Sequence, residues 1–358
     1  MRSIEQLKNL KGKKVLVRAD FNVPIKNGKV LDDFRIKKVL PTIKFLQQKG
    51  AEVILISHLG KDGTESMKPV ADCLKKYIKK NIILLDNIRI FPGEVKNDSN
   101  FAQKLSEIAD IYVNDAFSVS HRAHASIVGL PKLLPSYAGF QLEEETKKLS
   151  KVFKKPRHPF LFILGGAKFS TKMPLIQKYL KSADYIFIGG ALANNFFKAK
   201  GYEVGKSLVD NTNYNLKTVL KNKKLILPED VVVKSGNKLI NKKANEVEKD
   251  EIVLDIGNES VKNLAPLIKK SKLILWNGPL GKYGESGERA TEKIINILLR
   301  EKNKEIILGG GDLTSCISKS KLESKTYKLK PSLFVSTGGG AMLEYLANGT
   351  LPGIKALG

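Results

Sequence analysis

At 358 residues, 42% hydrophobic and 27% charged, the chain is too long for one ordinary core and too apolar to be disordered. No window approaches 18 consecutive apolar residues and the opening "MRSIEQLKNLKGKKV" has no apolar signal stretch, so neither a spanning helix nor a secretion leader is expected. The net charge of +26 points first to polyanions, yet the lysines are scattered, with no basic tail or aromatic-interleaved basic stripe, so nucleic acid is not the expected partner.

Apolar runs of strand length alternate with helical patterns along the chain. In order, "KVLVRA" (14–19), "EVILIS" (52–57), "NIILLD" (81–86) and "DIYVND" (110–115) predict strands in the first half. "FLFILG" (160–165), "YIFIGG" (185–190), "LILPEDVVV" (225–233), "LILWNG" (273–278), "EIILGG" (305–310) and "LFVSTGGG" (333–340) predict strands in the second. Most are continuously apolar, as parallel strands covered on both faces by helices must be. Segments such as "RIKKVLPTIKFLQQKG" supply those helices, with a glycine stop. The fold class expected is α/β, two doubly wound parallel-sheet domains. The charged run "FQLEEETKKLSKVFKKPRHP" predicts a helix over 140–156, with Leu142, Leu149, Val152 and Phe153 on one face and Pro156 as its stop. It reads either as the connection between domains 1–150 and 151–340 or as a plain surface helix. Cys73 and Cys316 lie far apart with no metal-ligand spacing, which predicts buried thiols and a reducing, cytoplasmic setting.

Glycines cluster where second-half strands end: Gly165-Gly166, Gly189-Gly190, Gly309-Gly310-Gly311 and Gly338-Gly339-Gly340. Open parallel sheets bind ligands beyond the carboxyl ends of their strands, and glycine there lets backbone amides approach phosphate oxygens. The nearest string to a Walker A loop, "GYEVGKS" (201–207), is one residue short between its glycines, so Lys206 reads as a loop lysine. "GGAKFSTK" places Lys168 and Lys172 just after a strand, with Ser170 or Thr171 able to cap the next helix and Pro174 in its first turn. A lysine at a positive helix end is misplaced unless an anion sits before it, so Lys172 is expected to face a phosphate.

Only eight of the 62 basic residues are arginines, and four of these (Arg18, Arg35, Arg89, Arg122) sit in first-half motifs together with three of the four histidines. "RADFNVP" supplies Arg18, Asp20 and Asn22; "DDFRIKK" Arg35; "SHLGK" His58 and Lys61; "DNIRIFPGE" Arg89; "NDAFSVSHRAHAS" Asp115, His121, Arg122 and His124. Singly each has a structural account, such as a turn cap or a satisfied histidine. Together they suggest a basic pocket for a small phosphorylated carboxylate.

These motifs carry a resemblance. "RADFNVP", "SHLG", "NDAF…HRAHAS", "GGAKFSTK", "GYEVGKS", "WNGPLG", "GGGD" and "STGGGAMLEYL…LPG" resemble, in order and along essentially the whole chain, the phosphoglycerate kinase family. The resemblance implies two Rossmann-like domains, with the tail 341–358 returning to the first. It implies reversible transfer of the acyl phosphate of 1,3-bisphosphoglycerate to MgADP, giving 3-phosphoglycerate and MgATP, with closure of two domains. Asp20, Phe21, Asn22, Arg35, His58, Leu59, Gly60, Lys61, Arg89, His121 and Arg122 are implied to bind phosphoglycerate. Gly166, Ala167, Lys172, Gly189, Gly190, Gly257, Asn277, Pro279, Glu285, Gly310, Gly311, Asp312 and Leu313 are implied around the nucleotide, with Asp312 supporting Mg²⁺. Arg35, Lys168, Lys172, Gly339 and Gly340 are implied at the transfer itself, and a cytoplasmic monomer is expected.

The chain departs from the family pattern in places. Lys61 stands where arginine is usual, Ala191 replaces a glycine, and Leu313 takes a hydroxyl position with Thr314 next. Gly284 takes the place of a ribose-contacting acid; Glu285, one residue on, either assumes that contact or stays solvated. Between Lys61 and Asp86 a strand–helix unit is expected to be missing. The competing class is a non-catalytic nucleotide- or nucleic-acid-binding protein, whose binding would fall steeply with salt.

Overall fold

The alternation of strand and helix resolves into two parallel sheets, in a computed structural model that describes residues 1–79, 82–211, 214–284, 287–319 and 333–358. Two compact units divide the chain: Met1–Lys147 with Asn348–Gly358, and Lys148–Ala347. Residues 341–347, expected with the returning tail, group with the second unit.

In the first unit, β1 (Lys14–Arg18) leads through a hairpin, β2 (Ile25–Lys26) and β3 (Lys29–Val30), into α1 (Phe34–Gln48), β4 (Glu52–Ile56), α2 (Lys68–Leu74) and β5 (Ile83–Leu84). Next come α3 (Pro92–Lys96), α4 (Ser99–Ser106), β6 (Ile111–Asn114), β7 (Ser136–Ala138) and α5 (Phe140–Lys154), whose residues from Lys148 on belong to the second unit. The sheet order is β5-β4-β1-β6-β7, every pair parallel. Val15, Leu16 and Val17 on the central strand are wholly buried, which is why "KVLVRA" is apolar without alternation. Each such side chain contributes about 1.5–3 kcal/mol on burial. The chain runs outward from β1 to β5, then restarts at β6 on the other side of β1. That reversal opens a crevice beyond the carboxyl ends of β1 and β6, where Arg18 and Asp115 stand.

In the second unit, β8 (Phe160–Leu164), α6 (Phe169–Tyr179), β9 (Tyr185–Ile188), α7 (Ala191–Ala199), α8 (Leu216–Leu220) and β10 (Leu225–Ile226) form the first half. Three antiparallel strands follow, β11 (Asp230–Ser235), β12 (Lys238–Lys243) and β13 (Ile252–Ile256), then α9 (Asn258–Lys270). β14 (Leu273–Asn277), α10 (Arg289–Arg300), β15 (Glu305–Gly309), α11 (Gly311–Lys319), β16 (Leu333–Val335) and α12 (Gly339–Asn348) complete the unit. A last helix, α13 (Pro352–Lys355), belongs to the first unit, where the Gly353 amide donates to the Ser120 carbonyl at 2.8 Å. The main sheet order is β10-β9-β8-β14-β15-β16, all parallel, so the reversal falls between β8 and β14.

Three local expectations are corrected. "LILPEDVVV" is two strands in two sheets: Pro228 separates β10 from β11, and the Gly236 turn (φ +56°) folds β12 back beside β11. Helix α6 begins at Phe169, ahead of the expected cap; no side chain caps it, and Thr171 Oγ1 instead donates to the Lys168 carbonyl at 3.0 Å. Packing of Phe169 on Phe196 and Tyr214 draws the start forward and leaves Pro174 inside the helix. The Ser170 carbonyl, which Pro174 cannot serve, accepts from the Tyr214 hydroxyl at 3.4 Å. Helix α5 stops at Lys154 rather than 156, because the residue before Pro156 is steered out of the helical region.

Candidate active site

Five pieces of chain meet beyond the ends of β1 and β4. Asp20, after β1, accepts from Arg35 at 3.1 Å and from the Ser118 hydroxyl, so one carboxylate aims a guanidinium of α1. The Arg35 Nη1 also donates to the Asn22 carbonyl at 3.0 Å, and the Asn22 Oδ1 accepts the Gly60 amide at 3.0 Å. Arg89 Nη1 donates to the Gly60 carbonyl at 2.7 Å. His58 is buried and lies 3.3 Å from Arg18 Nη2 through its Nδ1. Burial, then the charges of Arg18, Arg89, Arg35 and Arg122, drive its proton affinity far below the ordinary histidine range. A neutral imidazole among four guanidiniums marks an anion site with a built-in neutral donor.

Other expected residues in this unit hold different positions. The Phe21 and Leu59 side chains are in the core, so only their backbone can face a ligand. His121 is half-buried, with Nδ1 lacking a partner, and burial followed by Arg122 lowers its proton affinity. Lys61 and Arg122 are exposed.

In the second unit the glycine clusters adjoin one another in strand order. A Cβ at Gly190 would lie 2.6 Å from the Gly166 nitrogen, one at Gly278 2.7 Å from the Gly165 carbonyl oxygen, and one at Gly339 2.6 Å from the Gly310 Cα. Gly166 (φ +79°) and Gly190 (φ +60°) also hold backbone conformations that side chains resist. The Gly165, Gly166 and Gly190 amides donate to the carbonyls of Asn277, Pro279 and Leu280. Those glycines therefore shape the floor. The first amides of α11, at Gly311, and of α12, at Gly339 and Gly340, have no intrahelical acceptor, and a Cβ at Gly311 or Gly340 would meet open space.

A cavity of about 530 Å³ lies beside this ridge, walled on one side by Val231 and Ile252–Ile256 of the antiparallel sheet. Gly166, Ala167, Gly190, Ala191, Pro279 and Asp312 line it, as do Lys206, Asn194, Phe197, Leu208 and Tyr283. Its volume and mixed lining fit a nucleotide. Gly257 directly follows this wall, Asn277 is buried at the end of β14, and Gly189 packs on Leu280, so these expected residues support the cavity without lining it. Lys206, read as a loop lysine, is part of the lining; the signal for it was "GYEVGKS" itself. Asp255, unmarked by any motif, has its carboxyl pushed up to about 7 by burial, against the bonds from the Ala290 and Ile256 amides.

Lys172 is buried beside the ridge, its Nζ donating to the Gly165 carbonyl. Burial and the charge of Lys168 lower its proton affinity to about 8, with Asp312 opposing. A poorly solvated ammonium beside open helix ends is equipped to receive phosphate charge.

The family model described as phosphoglycerate kinase matches residues 4–82 and 78–349. The chain belongs to the phosphoglycerate kinase family. It is 40% identical to a phosphoglycerate kinase of Wolbachia sp. subsp. Drosophila simulans over 389 aligned residues, 98% of this chain and 96% of that one. It is 38% identical to one of Borrelia garinii subsp. bavariensis, covering 100% of this chain and 99% of that one. The structure of phosphoglycerate kinase from Coxiella burnetii superposes with a TM-score of 0.83 at 34% identity, over 99% of this chain and 98% of that one. The Pyrococcus horikoshii enzyme gives a TM-score of 0.85 at 27% identity, over 100% and 98%. The chain is accordingly a phosphotransferase of the α/β class.

Against the family pattern, Leu313 is buried, and the neighbouring Thr314 hydroxyl is turned onto the Gly310 carbonyl at 2.9 Å. The two pieces of the family match meet at 78–82, between α2 and β5, in the stretch expected to be short. Gly284 has open space around it (φ +85°), and Glu285 lies outside the described residues.

Proposed function

We propose that the first unit's basic cluster binds 3-phosphoglycerate and its acyl phosphate, and that the second unit's cavity binds MgADP or MgATP. The chain then catalyses reversible phosphoryl transfer between them, the glycolytic reaction of its family. The observation that carries this reading is Lys172, in the first turn of α6, its ammonium held over Gly165 and Gly166 and within electrostatic reach of Asp312. Such a transfer needs positioning and charge neutralisation more than covalent chemistry. Lys172 supplies charge to the moving group, with Lys168 near it, and the helix-opening amides at Gly311, Gly339 and Gly340 hold phosphate oxygens. Arg35, aimed by Asp20, and Arg89 and Arg122 hold the phosphoglycerate, with His58 and His121 as further donors. Lys61 meets it as a point charge where the family uses a fork.

Asp312 is the residue suited to Mg²⁺. Among the described residues no group of three or more His, Cys, Asp or Glu side chains gathers, so a free-standing metal site is not the fit. Mg²⁺ takes one or two carboxylates together with substrate phosphates and water, and a single cavity-lining aspartate suits that mode. The ion supplies charge neutralisation on the nucleotide phosphates.

The reading includes domain closure on substrate binding, a monomeric state and a cytoplasmic location; among the described residues no helix is long and apolar enough to cross a membrane. A coupled assay of purified protein with 3-phosphoglycerate and MgATP tests it, and Mg²⁺-dependent turnover is expected. Clean protein that binds both substrates without turnover would refute the assignment.

A further inference from the structure

Behind the first unit's arginines lies a buried polar chain that the transfer reaction itself does not call for. Glu94, on α3, is wholly inaccessible, as is Ser126 in a single π-helical turn, Ala125–Gly129. Glu94 Oε2 accepts the Ser126 amide at 2.9 Å and Oε1 accepts the Ser126 hydroxyl at 2.7 Å. The same hydroxyl oxygen accepts Arg18 Nε at 2.9 Å, and Arg18 Nη2 reaches His58 Nδ1 at 3.3 Å.

Every proton in this chain is placed by elementary chemistry. A guanidinium only donates, so both Ser126 Oγ and His58 Nδ1 are acceptors toward Arg18. The serine has one O–H, which therefore points to Glu94. His58, accepting at Nδ1, carries its proton on Nε2. Burial works against the Glu94 charge, but His124 at 3.7 Å, Arg18 and the Ser126 bonds outweigh it and hold the carboxyl below its ordinary range. Arg18 is itself 1% exposed; its Nη1 donates to the Ala19 carbonyl at 2.5 Å, and Glu94, linked to its Nε through the Ser126 hydroxyl, is a buried counter-charge near it.

We infer that Glu94 is a positioning residue: through Ser126 and Arg18 it holds His58 as the neutral tautomer that presents an Nε2–H to the bound anion. The inference rests on the reading of His58 as a phosphoglycerate contact. It accounts for why a histidine, not a fifth arginine, stands there. The neutral ring adds a directional donor without further repulsion among Arg18, Arg35, Arg89 and Arg122.

The test is ¹⁵N NMR of the histidine rings in the unliganded full chain at pH 7, with His58 assigned by the signals lost in His58→Gln. The wild type is expected to show a protonated Nε2 and a bare Nδ1. In Glu94→Gln the relay loses its charge, and in Ser126→Ala it loses its link. Both are expected to shift the ring toward mixed tautomers and to weaken 3-phosphoglycerate by roughly ten-fold, the scale of one hydrogen bond, with MgADP unchanged. A wild-type ring protonated on Nδ1 overturns the proposal even if neither variant folds. Wild-type ring signals retained in both variants overturn it whatever happens to affinity. A relay that behaves as expected in a protein that binds no 3-phosphoglycerate overturns the substrate assignment alone.

Discussion

Replacing Lys172 with methionine is expected to make the second unit more stable while lowering the turnover of the protein steeply. The ammonium is 5% exposed, and burial with Lys168 lowers its proton affinity from 10.5 to about 8. Each tenfold loss of proton affinity is worth about 1.4 kcal/mol, so keeping Lys172 charged at pH 7 costs the fold about 3 kcal/mol. Methionine fills the same space but gives up the charged hydrogen bond to the Gly165 carbonyl, worth about 2 kcal/mol. A net gain of about 1 kcal/mol follows. Because the folded-state value is depressed, the unfolded chain binds more protons between pH 8 and 10.5, and wild-type stability rises across that window. The advantage of Lys172→Met therefore shrinks from pH 7 to pH 10. Urea unfolding followed by fluorescence reads this unit directly, since Trp276 is the one tryptophan of the chain and is buried in β14. The same variant should lose about 10²-fold or more in kcat. A variant less stable than wild type at pH 7, or an advantage equal at pH 7 and pH 10, would refute the reasoning.

Arg35→Ala, Arg89→Ala and Arg122→Ala should each weaken 3-phosphoglycerate by roughly ten- to a hundred-fold in calorimetry while leaving MgADP unchanged. Equal losses for both ligands would signal general damage. Gly190→Ala forces a side chain into a φ of +60° and against the Gly166 nitrogen at 2.6 Å. It should cost the second unit about 2 kcal/mol in urea unfolding and depress MgADP binding; a neutral result in both would remove Gly190 from the site. Asp312→Asn should weaken MgADP several-fold but leave metal-free ADP unchanged or tighter, and parallel loss of both would place the metal contact elsewhere.

Much of this protein was legible in order along the chain. Continuous apolar runs predicted parallel strands because burial on both faces removes alternation, and the wholly buried β8 and β14 fit that pattern. Where a strand is exposed the signal weakens: β12 is almost all surface, so its "KLINKK" carries no apolar run, and only the adjacent "SGN" turn marks it. Lys172 stood out by itself, as a lysine at a positive helix end, whereas Arg35 and Arg89 pointed to a site only together with the other arginine and histidine motifs. Lys206 did not stand out, because a lysine in a loop of a lysine-rich chain looks like any other until the cavity wall is built.

By itself the sequence determined the α/β class, the two glycine- and arginine-marked halves and the family, because period, composition and motif are properties of neighbours in the chain. Only tertiary structure decided which glycine amides are engaged and which are open. The Gly166 amide meets the Pro279 carbonyl at 2.8 Å across 113 positions that no local pattern relates. It decided likewise that Glu94, an ordinary helix-start acid by its sequence position, is a buried counter-charge for Arg18. Both depend on the order of strands in a sheet. That order is set by how crossovers pack, and it brings together residues whose separation along the chain carries no periodicity to read.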